Sequence, residues 1–411
     1  MDQPSFPGSR LLKPFLVLRH RNFRLLWTGS LISNTGDWID QLALNWLVLE
    51  TTGSPAALGL VNLCRGLPIL VFTLIGGAAA DRFERRRLML GTQTAAMIVA
   101  LILAGMVYSG TASLWAIAAV ATARGTIVAF NLPARHSLIS EIVPRDDLAR
   151  AIALNSMTIN LTKVLGPLIA GLLIASVGLA ACFFINALSF VGVLACLAAM
   201  HIPPQVRERS GSLGRNIVDG FAFIRDHATI RILVLVALIP MFFGQPYITM
   251  LAVFATDVFK IGPDGLGLLI ASAATGSMLG ALMVSTFADL ARRGLTMLAL
   301  LAGYGTLLIC FSLNPVAPLA PFILLGVGAM QIAYGACNNT ILQLVVPDHV
   351  RGRVLSVLFL NRSLVSFGTA FVATLSAVIG PQWSLALSGA IMVLAAALVF
   401  ARSPSMRSLR A

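Results

Sequence analysis

Ser30, Asn34, Asp37, Gln41 and Asn45 follow one another at intervals of 4, 3, 4 and 4 residues, which places all five on one face of a helix. The residues between them are mostly apolar, so such a stripe has to line a water-filled cavity. Its carboxylate, Asp37, is of the type that carries protons: burial favours the neutral acid, whereas a nearby arginine favours the ion. Asp40 lies one turn on and slightly to the side, and is the second candidate. The bland alternative for either acid is a permanent structural pair with Arg65 or Arg124.

Shorter stripes repeat the pattern. Asn62 and Arg65 are three apart; Ser156, Asn160, Lys163 and Pro167 step by 4, 3 and 4; Arg362, Ser366 and Thr369 step by 4 and 3. Together with Asn34 and Gln41, the residues Arg65, Arg124, Asn160, Lys163 and Arg362 are expected to face a substrate cavity, although long cations also snorkel or bond backbone carbonyls. Gln245, Gln331, Tyr334 and Asn338 are candidate neutral contacts whose alternative is interhelical hydrogen bonding. Every histidine (His20, His136, His201, His227 and His349) falls at a helix end or loop, so a histidine proton relay at mid-membrane is excluded and a carboxylate is left to carry any coupled proton. No GxxxxGK[ST], HExxH or strand-borne GxSxG motif occurs, so an enzyme, and ATP hydrolysis in particular, is not expected. The five cysteines are scattered through apolar segments without CxxC spacing and read as small core residues; no metal site or cofactor is expected.

The elements that position these residues are dictated by composition. Of 411 residues 58% are hydrophobic and only 11% charged, far too apolar for a soluble globule. Apolar runs at 23–48, 56–80, 88–108, 112–132, 150–175, 180–200, 231–256, 265–288, 295–313, 318–345, 353–378 and 383–402 are each long enough to cross a bilayer as a helix. If these twelve spans alternate from a cytoplasmic start, 24 of the 29 Lys and Arg fall on one side, and the opposite loops carry only Lys260. That is a positive-inside pattern. The net charge of +13 therefore reports orientation, and a nucleic-acid partner is excluded. The amino-terminal residues lack an apolar core and cleavage site, and are expected to form a cytoplasmic tail rather than a signal peptide.

The longest polar stretch, 201–231, separates six spans from six, with a short amphipathic helix expected at 220–226. The predicted organisation is a tail (1–22), a six-helix half (23–200), a cytoplasmic loop (201–230), a second half (231–402) and a tail (403–411). The halves echo each other: Asp81 matches Asp289 at an offset of 208, and Pro144 and Arg150 match Pro347 and Arg353 at an offset of 203. Duplication of this kind suits halves that rock about a central site.

Twelve spans, a central loop and Gly77, Asp81, Arg82, Arg85, Arg86 and Arg87 after the second span resemble the major facilitator superfamily, with Glu84 where that pattern usually has glycine. The second copy keeps Asp289, Arg292 and Arg293 but has Leu290 in place of the first arginine. The segments RNFRLLWTGSLISNTGDWIDQLALNWLVLETTGSP and VPRDDLARAIALNSMTINLTKVLGPLIAGLLI are similar to the branch that holds enterobactin-type siderophore exporters and macrolide efflux proteins. Gly166, Pro167 and Gly171 match part of an antiporter motif. Arg124 lies where drug exporters of the superfamily carry an arginine, though the residues after it differ.

The resemblance implies an all-α fold of two pseudo-symmetric halves. It also makes the Gly77–Arg86 segment and Asp289, Arg292 and Arg293 gating elements at the half-to-half boundary. The combined reading is a monomeric secondary transporter of a bacterial cytoplasmic membrane, both termini cytoplasmic, exporting amphipathic small molecules in exchange for protons. Its rivals are a uniporter or importer, and a transporter-shaped sensor or scaffold. The embedded cations outnumber the acids, which favours anionic or neutral cargo over lipophilic cations.

Overall fold

The computed structural model describes residues 13–201, 222–286, 293–404 and 406; the side chains of 13–14, 74, 285–286, 348–349 and 351–363 lie outside that description. The described chain is helical throughout. A 3-10 turn, Lys13–Arg19, leads into α1 (Arg21–Thr52), α2 (Pro55–Arg82), α3 (Arg85–Tyr108) and α4 (Leu114–Ile142). Arg145–Ala198 runs as one helical stretch broken only at Gly178, whose φ of 83° no side-chain-bearing residue adopts easily; it is divided there into α5 (145–177) and α6 (179–198). The second half comprises α7 (Ala228–Val258), α8 (Gly262–Thr286), α9 (Arg293–Ser312), α10 (Ala320–Val345), α11 (Asp348–Ile379) and α12 (Pro381–Arg402).

Helix ends follow local chemistry. Gly53 closes α1 in the left-handed conformation, and Ser54 caps α2 by accepting from the Ala57 amide, with Pro55 at the first helical position. Among the described residues, the long apolar stretches are those of a membrane-crossing protein. The polar stripe keeps α1 out of that group.

Two expectations are corrected, and a third is met as far as the described residues reach. Helix α4 does not stop near 132: it passes Pro133 and continues to Ile142, because Ala134, Leu138 and Ile139 are needed in the apolar core at that end of the bundle. The cysteines are free thiols, yet only Cys182 is buried; Cys310 is exposed on α9, as lipid-facing apolar residues are. Of the amphipathic helix expected at 220–226, residues 222–226 are helical and 220–221 lie outside the described residues.

In the first half α1 packs on the α5–α6 stretch and α2 on α4; in the second, α8 packs on α10 and α9 on α12. The halves meet along α2–α11 and α5–α8. At the face away from the termini this seam is tight. A Cβ on Gly59 would come within 2.8 Å of the Ala373 Cβ, and one on Gly267 within 2.5 Å of the Pro167 carbonyl. Among the described residues no hydrogen bond or ion pair crosses it.

Candidate functional site

The α1 stripe faces the middle of the bundle. Asp37, Gln41 and Asn45 line a cavity of about 370 Å³ with Trp38, and α2 adds Asn62 and Arg65 to its wall. Across it stand Gln245 and Thr249 of α7 and Ser366 and Thr369 of α11. The Asn62 side-chain amide donates to Asn45 Oδ1 at 3.3 Å, fixing two of these polar groups to each other.

Arg124 lies behind the stripe instead of on the cavity wall. Its guanidinium is 6% exposed and bonds both acids: Asp37 at 3.1 Å, and Asp40. The two acids differ in access, since the Asp40 side chain is 1% exposed and that of Asp37 44%. One arginine therefore serves a buried partner and an accessible one. Gly125, next to Arg124, lets α4 approach the Arg65 backbone carbonyl, against which a Cβ would sit at 2.0 Å.

The sequence reading missed Arg135. Its Nη1 donates to Asn34 Oδ1 at 3.0 Å, so it joins the α1 stripe one step along. Pro133 disguised it: a proline two residues earlier reads as the end of a span, and Arg135 then reads as a loop cation. Lys163 stands at the seam, among Trp38 of α1, Tyr247 and Leu251 of α7, and Ile270 and Ser277 of α8. Asn160 is exposed, and its amide donates to the Ser156 carbonyl at 3.0 Å. The Arg362 side chain lies outside the described residues.

The neutral candidates of α10 line a separate chamber of about 180 Å³, bounded by α7, α9 and α10, which holds Gln331, Tyr334 and Asn338. Gln245 borders both spaces. Tyr334 donates to the Val236 carbonyl at 2.9 Å, and the Tyr247 hydroxyl to Gln331 Oε1 at 3.4 Å.

The turn between α2 and α3 is tied inside its own half. Arg85 bonds Glu141 at 2.8 Å, and Arg86 donates to the carbonyls of Leu197 and Ala198, each at 2.7 Å. Gly77 and Asp81 lie in the last turns of α2, Arg82 is exposed, and Asp81 forms no ion pair among the described residues. Asp289 and Arg292 lie outside the described residues, and Arg293 opens α9. The 3-10 turn is moored by Asp147 of α5, which is bonded by Arg19 at 2.7 Å and His20 at 2.8 Å.

Two six-helix halves around a central polar cavity define a major facilitator transporter, a membrane carrier and not an enzyme. The chain belongs to the transmembrane secretion effector family, whose model matches residues 12–410. It is 28% identical over 374 residues to the staphyloferrin A transporter of Staphylococcus aureus, covering 89% of this chain and 92% of that one. It is 25% identical over 381 residues to macrolide efflux protein A of Streptococcus pyogenes, covering 90% and 93%. In fold it matches a bacterial homologue of the human lysosomal transporter Spinster at a TM-score of 0.74 and 18% identity, covering 95% of this chain and 99% of that one.

Proposed function

We propose that this transporter exports anionic or neutral amphipathic small molecules from a bacterial cytoplasm, as a monomer, in exchange for protons. The observation that carries the reading is the unequal sharing of Arg124. With both acids ionised, Asp37, Arg124 and Asp40 sum to one negative charge; a proton on Asp37 brings the sum to zero and leaves Arg124 paired with Asp40. Only Asp37 has the access to exchange that proton with the cavity. Burying an unpaired charge is costly, so a group that can be neutralised without orphaning its partner is the one suited to cycle.

Arg65 faces the same cavity and makes no ion pair among the described residues, so its guanidinium is available to a carboxylate or similar oxygen anion. Lys163 at the seam adds a second cation. Loading of an anion is then favoured by these two groups. Siderophore and drug cargoes of the relatives agree with an amphipathic substrate.

The basic residues at the helix ends support a cytoplasmic position for both termini; on that orientation the tight far-face seam is the external gate and the described state the cytoplasm-facing one. Gly77, Asp81 and Arg82, with Asp289, Arg292 and Arg293, are proposed to close the cytoplasmic mouth in the alternate state. Arg85 and Arg86 hold the α2–α3 turn in position for that step. External maleimide on whole cells is expected to label a cysteine at Ser109 and not one at His201, in a cysteine-free background; the reverse pattern overturns the orientation.

The functional test uses liposomes and two probes, the amphipathic anion carboxyfluorescein and the cation ethidium. A pH gradient should drive carboxyfluorescein, and Asp37→Asn should abolish that drive while leaving the protein folded. Ethidium transport that is faster than carboxyfluorescein transport and untouched by Arg65→Ala would refute the anionic reading.

A further inference from the structure

The chamber between α7, α9 and α10 has features that hydrogen bonding between helices does not explain. Tyr304 of α9 is fully buried, yet its hydroxyl has no partner among the described residues; the same is true of Asn338 Oδ1 on α10, a residue 6% exposed. Both side chains line the chamber. A buried hydroxyl and a buried carbonyl oxygen left unsatisfied each cost free energy, and native proteins keep few such groups.

The α7 wall of the chamber is shaped by an irregular turn. Pro240–Gly244 of α7 forms a π-helical turn, with the Gln245 amide bonding the Pro240 carbonyl at 2.7 Å. Pro246 follows directly and has no N–H to return to the Phe242 carbonyl, which favours the wider turn. At Gly244 the backbone comes so close to the tyrosine that a Cβ would lie 2.8 Å from the Tyr304 hydroxyl oxygen. Tyr304 is braced from the other side by Tyr247, in edge contact at a ring distance of 6.4 Å, and Tyr247 is itself tied to Gln331. The hydroxyl is thus held in place without being used. The rim is accessible, because Gly335 and Asn339 are exposed.

We infer that this chamber is a binding subsite for a neutral hydroxyl or carboxamide group, and that Tyr304 and Asn338 are its recognition pair. A hydroxyl or carboxamide can accept from Tyr304 and donate to Asn338 Oδ1 at once, which an ether, an ester or an ion cannot. The volume suits a single ring-sized group; apolar cavities of about 150 Å³ take benzene. The subsite borders the central cavity at Gln245, so an amphiphile can place an acidic end by Arg65 and a neutral hydrogen-bonding end here. That placement rests on the transport reading; occupancy of the chamber does not, and is tested without transport.

The test is fluorine NMR of the full-length protein in nanodiscs with para-fluorophenol and para-fluoroanisole, probes of similar size of which only the first donates a hydrogen bond. The phenol is expected to bind wild type about tenfold more tightly than the anisole, equivalent to about 1.4 kcal/mol. Asn338→Leu should remove most of that preference while anisole binding stays unchanged, whereas Tyr304→Phe, which removes a donor that either probe's oxygen can accept from, should weaken both probes. Arg65→Ala should leave the phenol preference intact, which separates failure of the subsite from failure of the anion reading. Equal binding of the two probes to wild type, or a preference that survives Asn338→Leu, would mean that the chamber takes water only and would overturn the proposal.

Discussion

The two halves differ in where their charge lies. Among the described residues the charged groups near the central cavity and the seam, Asp37, Asp40, Arg65, Arg124, Arg135 and Lys163, belong to the amino-terminal half, where Arg124 pairs with both acids and the amides Gln41, Asn45 and Asn62 share the cavity wall. In the carboxy-terminal half the polar groups include the amides and phenols Gln245, Gln331, Asn338, Tyr247, Tyr304 and Tyr334. The two halves share one scaffold, and on the proposed reading the ionic half serves proton exchange and charge recognition while the neutral half sorts ligands by hydrogen-bond geometry. A duplicated frame can thus divide its tasks without changing its helix plan.

The largest expected effect is on the ionic side. Arg124→Ala leaves Asp37 and Asp40 facing each other with their shared cation gone, and removal of one partner of a buried pair costs about 3–5 kcal/mol. A large fall in the unfolding midpoint in detergent checks it; an unchanged midpoint would mean that the acids are held by something else. Asp37→Asn comes next. It should reduce proton-driven export to the level of empty liposomes with little loss of stability, whereas Asp40→Asn, at 1% exposure, should cost stability first. If the two variants behave alike, the distinction between accessible and buried acid fails.

A smaller effect is expected at Arg65. Arg65→Ala should weaken anion binding by about ten- to hundredfold, in line with about 1.5–3 kcal/mol for a hydrogen bond to a charged group, as read by the half-saturating concentration of carboxyfluorescein. The smallest effects sharpen the neutral side. Tyr334→Phe removes a hydroxyl bonded to Val236 at 2.9 Å and should cost about 1 kcal/mol of stability. Tyr304→Phe removes one with no partner among the described residues and should cost nothing measurable. A fall of equal size in both unfolding midpoints would break the contrast.

Much of the ionic half is legible from spacing alone. An α-helix keeps a constant turn, so the intervals of the α1 stripe are enough to place Asp37, Gln41 and Asn45 together on a cavity wall. Arg124 is legible as a membrane-embedded charge, but which acids it joins depends on the packing of α4 against α1 and α2, which spacing within one helix does not encode. Arg135 is hidden because proline reads as a terminator, while tertiary packing carries α4 past it. The neutral half is harder. A π-helical turn shifts the helical register by one residue, so residues of α7 on either side of 240–244 no longer share the face that a regular period assigns them. Tyr304 has no polar neighbour at helical spacing on α9 that would mark it, and a lone tyrosine in an apolar helix is indistinguishable by pattern from a core aromatic.

The far-face seam has a mechanical consequence. Glycine there brings backbone against its neighbour, Gly59 to Ala370 and Gly267 to Pro167, and the packing attraction gained is short-ranged: a gap of ~0.5–1 Å forfeits a quarter to a half of it. Lipid tails offer parting helices nearly the same contacts. Such a seam resembles a bearing more than a bolt: if it is the proposed external gate, lateral pressure and acyl-chain composition of the bilayer should set how fast it swings.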